Sequence, residues 1–206
     1  MQVYLSSPEF DALSDYDRVS SRATELLHIM KGLAILRLNF RPDVEFDHIL
    51  EIGDASKTTH YHSHAMDPFI SYDEVELEIT DVSSCGKRTV ESAPLLIESW
   101  THLSCTDEKV AKTLRMLGSR ELNWDNLYKV LEIIQSDVGS RITVEGWASD
   151  SKLDQFTRTA NSSRAIGDDA RHGHVRYEPP PIPMMLPEAR TIITSIVVRW
   201  LDSKTE

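Results

Sequence analysis

The stretch from Phe156 to Val175, FTRTANSSRAIGDDARHGHV, gathers more chemistry-bearing side chains than its neighbours in the chain. Asn161, Arg164, Asp168, Asp169, Arg171, His172 and His174 fall within fourteen residues. A histidine beside an arginine can exchange a proton with a phosphodiester while the guanidinium balances phosphate charge. On that reading Arg164, Arg171, His172 and His174 are the catalytic candidates, and Asn161, Asp168 and Asp169 are the binding candidates. Gly167 permits the irregular backbone that would bring them together. The plainer reading is a charged turn between two helices, its cations spent on carbonyls and local aspartates. Geometry separates the two. Convergence in an open cleft, above all across a dimer axis, favours chemistry; pairing with aspartates inside one chain favours a structural turn.

A second group is His60, His62 and His64 in THYHSH. Alternate residues of a strand share a face, so three imidazoles in a row could begin a transition-metal site, with Asp67 or His48 completing it. No HExxH or CxxC accompanies them, and a polar strand face is the plainer reading. No metal and no cofactor are expected. Glu74, Glu76 and Glu78 form an acidic ridge that reads as a solvated strand face. Trp124, Trp147 and Trp200 read as core or interface aromatics. Arg176-Tyr177-Glu178 followed by PPPIP reads as a stiff connector, with a polyproline ligand for an aromatic groove as the alternative. The chain shows no phosphate-binding glycine loop, nucleophile elbow or thiol–histidine pair.

The elements that must position these groups follow from periodicity and caps. Residues 1–14 read as an extended lead. Val19, Ala23, Leu26, Leu27, Met30, Leu33 and Ala34 recur at helical spacing over Asp15–Arg37, with Ser14 or Asp15 as cap. Phe46–Ile52, Thr59–His64 and the alternating Glu74–Thr80 read as strands, and Ala93–Trp100 as a strand or a helix. Helices are predicted over Asp107–Leu117, stopped by Gly118, and over Trp124–Val138, between Asn123 and Gly139. RITVEGW reads as a connector or short strand. A further helix opens at Ser149 or Asp150 and runs through Leu153, Phe156 and Ala160. The last begins near Pro187, where a missing amide costs nothing.

These elements predict an α+β fold. Residues 1–104 would hold an N-terminal helix with a small antiparallel sheet, and residues 105–206 a helical bundle, the two packed together. The formal charge of −11 opposes non-specific attachment to nucleic acid or anionic lipid. Cys85 and Cys105 form no pattern and fit a reducing cytoplasm. No apolar run is long enough to cross a membrane, and the N-terminus shows no secretory signal.

The C-terminal half, residues 106–203, resembles HEPN-type helical domains. The likeness lies in the segment Arg164 to His174, placed ahead of a final amphipathic helix. The run LYKVLEIIQSDVG, then a tryptophan, then ANSS, a glycine and ARHG also resembles uncharacterised bacterial proteins of that architecture. The resemblance implies a dimeric bundle with an arginine and a histidine at a nuclease cleft. The spacings here differ from the family's motif: seven residues lie between Arg164 and His172, and two between Arg171 and His174. Two functions therefore stand. One is a non-enzymatic interaction or sensor protein, a subunit of a bacterial stress or phage-defence system, acting on a protein partner or as a homodimer. The other is a HEPN-like, metal-independent ribonuclease using the Arg164–His174 segment, with RNA as its partner.

Overall fold

A computed structural model describes residues 7–13, 15–45, 48–52, 58–62, 92–171 and 178–205. Ser7 caps a four-residue helix, α1 (Pro8–Asp11), where an extended lead was expected. Pro8 sits in its first turn, which needs no amide donor there. Asp15 then caps α2 (Tyr16–Leu38) by accepting from the Arg18 amide at 2.9 Å. Asn39 ends that helix in the left-handed region, φ 49°. Its buried stripe is Ala23, Ile29, Gly32 and Leu33, and Met30 faces solvent instead.

Two strands, β1 (His48–Ile52) and β2 (Thr58–His62), pair antiparallel, with His48 opposite His62 and Leu50 opposite His60. They form a two-stranded ribbon, not a sheet layer. The α+β class is thereby corrected: the described structure is helical. Ala93–Trp100 lies inside α3 (Ser92–Thr106). Trp100, Leu103 and Ser104 recur there at helical spacing and turn toward the core, and Pro94 falls in the first turn, where it breaks no helical hydrogen bond. The predicted strand Glu74–Thr80 lies outside the described residues.

Asp107 caps α4 (Glu108–Ser119), and Asn123 caps α5 (Trp124–Val138), which Gly139 closes at φ 58°. RITVEGW contains one helical turn, α6 (Arg141–Val144), and no strand; Ile142 pins it to the core. Ser149 caps α7 (Asp150–Asn161), and a short α8 (Ser163–Ile166) runs into a 3-10 turn over Gly167–Asp169. The last helix, α9 (Leu186–Asp202), carries Pro187 in its first turn.

Apolar faces at helical spacing close one core. Val110, Ala111, Leu114 and Leu117 of α4 meet Leu127, Leu131 and Ile134 of α5 and Ile193, Ile196, Val197 and Trp200 of α9. Ile29 and Leu33 of α2 and Trp100 of α3 belong to the same cluster, so the core is continuous across Ser104. The Arg37 guanidinium lies 3.6 Å from the Trp100 ring centroid, tying α2 to α3.

Helices α2 and α4 cross with backbone close to backbone. Gly118 lies within α4 instead of ending it, and is buried. A Cβ at Gly118 would collide with the His28 carbonyl, and one at Gly32 with the Leu114 carbonyl. Arg41 then caps the C-terminal end of α4, donating to the carbonyls of Gly118 and Arg120. Among the described residues no helix is long and apolar enough to cross a membrane.

Candidate functional site

The predicted segment begins on α7. Phe156 and Ala160 are fully buried and hold the helix on α5, where Phe156 contacts Trp124 and Tyr128 at ring-centroid distances of 5.9 and 6.2 Å. The helix stops because Ser162 turns extended, φ −103° and ψ 110°. Gly167, at φ 63°, makes the next reversal, a conformation that a side chain would disfavour. The Arg171 amide then donates to the Ala160 carbonyl at 3.0 Å. Residues 160–171 are therefore a closed loop folded back on the end of α7.

Within the loop the candidates separate. Asn161 is buried, and its Nδ2 donates to the Thr157 carbonyl at 2.9 Å. Its Oδ1, together with Ser162 Oγ and Ser163 Oγ, is buried without a hydrogen-bond partner among the described residues. Arg164 lies on the surface and pairs with Glu178 at 2.6 Å. Arg171 points to a different helix: it pairs with Glu132 of α5 at 3.2 Å and stacks 4.2 Å from the Tyr128 ring centroid. Asp168 and Asp169 are exposed on the 3-10 turn. Each arginine is thus bound to a glutamate brought from elsewhere in the chain, not to the neighbouring aspartates. His172 and His174 lie outside the described residues.

The histidine group of the first half divides in the same way. His48, His60 and His62 lie on the β1–β2 ribbon, while His64 and Asp67 lie outside the described residues. Among the described residues no three His, Cys, Asp or Glu side chains gather as metal ligands. Two surface grooves among the described residues contain none of the predicted site residues. One lies between α1 and α2; the other, about 660 Å³, is lined by His28, Lys31, Arg41, Asp43 and Glu45. Burial, and then the charge of Lys31, push the His28 imidazole below its ordinary value.

Arg176-Tyr177-Glu178 with PPPIP was expected to be a stiff connector, and the described residues 178–185 take a definite seat. The strap runs over α7 and is bonded to it by side chains. Arg158 Nη2 donates to the Pro179 carbonyl at 2.9 Å, and Gln155 Nε2 donates to the Ile182 carbonyl at 2.9 Å. The buried Met184 amide donates to Thr159 Oγ1 at 3.0 Å. Just past the strap, Lys152 pairs with Glu188 at 2.6 Å. The signal was present in the sequence: proline lacks an amide, so a proline run must find donors for its carbonyls elsewhere.

No family model, curated protein or solved structure matches this chain.

Proposed function

We propose that the protein is a non-enzymatic interaction module, acting on a protein partner or on a second copy of itself. The observation that carries this reading is how the two arginines of the central segment are spent. Arg164 is held by Glu178 and Arg171 by Glu132, with Tyr128 beneath it. A phosphate would have to displace a carboxylate from each, and the two point to different partners. The charge of −11 adds a repulsive field toward a polyanion. The exposed apolar residues Ile182 and Met185 beside this segment supply the other half of the reading, since side chains of that kind gain by meeting a partner.

The rival is the HEPN-like ribonuclease, and one experiment separates them. Purified full-length protein is incubated with single-stranded RNA, with and without a metal chelator, beside the double variant Arg164→Ala, Arg171→Ala. The expected result is equal, background-level cleavage by both. Cleavage that is insensitive to chelator and lost in the double variant would establish the nuclease and displace the proposal. Native mass spectrometry of the same preparations reports whether a second copy is the partner.

A further inference from the structure

We infer that the outward face of α2, with the lead that follows it, is the surface on which two copies of this chain join about a two-fold axis. The inference rests on the interaction-module reading and names its partner as a second copy.

Helix α2 is apolar on two sides. Ile29, Gly32 and Leu33 face the core, with Leu36 packed against it. Leu27, Met30, Ala34 and Leu38 recur at intervals of three and four residues and form a second stripe on the opposite side. A surface helix ordinarily carries charged and polar residues there. Leu27 and Ala34 are half-buried, while Met30 is 53% and Leu38 66% exposed. Phe40 and Val44 extend the apolar surface past the helix end. Four of the seven large apolar side chains that stand exposed among the described residues therefore lie between residues 30 and 44. Apolar side chains gathered in this way mark an interaction surface, where scattered single ones do not.

The lead is held in place. Arg41 caps α4, and Asp43 and Glu45 line one groove with His28 and Lys31 of α2. The face is presented in a set shape, so a partner loses little to ordering it.

Charge argues for a second copy. In a two-fold interface the same surface meets itself, so it must be its own complement. This one carries both signs: Lys31 from α2, and Asp43 and Glu45 from the lead. None of the three has an ion-pair partner among the described residues. Each copy's Lys31 can meet the carboxylates of the other copy's lead. The charge balance points the same way. Residues 16–45 carry five Arg or Lys and four Asp or Glu, whereas the whole chain stands at −11. Two copies that meet here keep their acidic surfaces apart; two that meet elsewhere press like charge on like.

The test measures the mass of the full-length protein by sedimentation over a wide range of concentration. A reversible dimer is expected. Met30→Lys and Leu38→Lys should each weaken it roughly tenfold or more, because each buries a charge at the joint. Val144→Lys, at an exposed apolar residue outside the face, should dimerise as wild type. Thermal melts of these variants at monomer concentrations should match wild type, since each changed side chain is exposed and lysine is a good helix former. A charge exchange identifies the occupant. Lys31→Glu alone, and Asp43→Lys with Glu45→Lys, should each lose the dimer, and an equal mixture of the two should regain it as a mixed pair. A monomeric wild type, undiminished association of Leu38→Lys, or a mixture that stays monomeric overturns the inference. So does a monomeric wild type whose Leu38→Lys variant melts lower, which would assign the face to another segment of the same chain. RNA cleavage by a dimer would sink the interaction-module reading and leave this face standing. An inactive monomer would do the reverse, so the two failures are distinguishable.

Discussion

Gly32 and Gly118 let α2 and α4 approach until backbone meets backbone. From sequence, each is a mid-helix or end-of-helix glycine of minor consequence. Propensity alone says that Gly118→Ala should stabilise the protein by about 1 kcal/mol, because alanine is the better helix former. Contact says the reverse: the new methyl would press on the His28 carbonyl, a backbone atom that cannot rotate away. The expected result is a loss of about 1–3 kcal/mol, the usual cost of overpacking, read by urea denaturation. A gain in stability would show that the helices are free to separate. Ser162 tests the opposite situation. Its hydroxyl is fully buried and has no hydrogen-bond partner among the described residues. Removing an unsatisfied buried polar group removes its desolvation cost, so Ser162→Ala should raise stability by about 1 kcal/mol. A destabilised variant would mean that the hydroxyl has a partner essential to the loop.

At the scale of elements, one charged cluster joins three helix ends. Asp107 at the start of α4 and Asp137 at the end of α5 both accept from Lys204, just beyond α9, at 2.8 and 2.7 Å. Trp200 Nε1 donates to Asp137 at 2.9 Å, and Lys109 pairs with it at 3.2 Å. Burial alone would raise the Asp137 carboxyl, but the bonds from Lys204, Trp200 and Lys109 outweigh it and hold the group at about 2, against an ordinary value of 3.8. A depressed carboxylate stabilises the fold above its unfolded value, and that stabilisation is lost as pH falls through the folded one. Asp137 therefore contributes about 2 kcal/mol at neutral pH, lost as pH falls from the unfolded carboxylate value to the folded one. In Asp137→Asn this part of the acid loss should be missing while stability at neutral pH is lower, as measured by urea melts across that range. An unchanged acid limb would show the cluster to be solvated. Trp200→Ala removes both a fully buried ring and one of these donors, and should cost about 3–5 kcal/mol. A variant that melts with wild type would show α9 to be peripheral.

For the whole molecule, the continuous core makes a definite claim about cooperativity. Residues 1–104 and 105–206 were expected to be two regions packed together. Ile29, Leu33 and Trp100 share one apolar cluster with Leu114, Ile193 and Trp200, and Arg37 of α2 lies 3.9 Å from Asp202 at the end of α9. Unfolding should then be a single event. Tryptophan fluorescence and far-ultraviolet circular dichroism should give coincident urea transitions. Two separated transitions would show that the regions on either side of Ser104 unfold independently.

What the sequence determined by itself is what neighbours within a few residues can dictate. Helix α5, from its Asn123 cap to its Gly139 stop, was legible in full, and so were the apolar faces of α4 and α9, because caps and the period of 3.6 act over one or two turns. The break after Asn161 and the reversal at Gly167 were local as well. Tertiary structure decided the rest. Whether Ala93–Trp100 is strand or helix depends on what it packs against, and it became α3, one strand candidate fewer in a described structure that is helical. Arg164 and Arg171 found Glu178 and Glu132, and the carbonyls of Pro179 and Ile182 found Arg158 and Gln155. These partners lie between fourteen and thirty-nine residues away in the chain. No periodicity or spacing rule reaches that far, because the helices that bring such groups together are placed by burial of their apolar faces, not by the groups themselves.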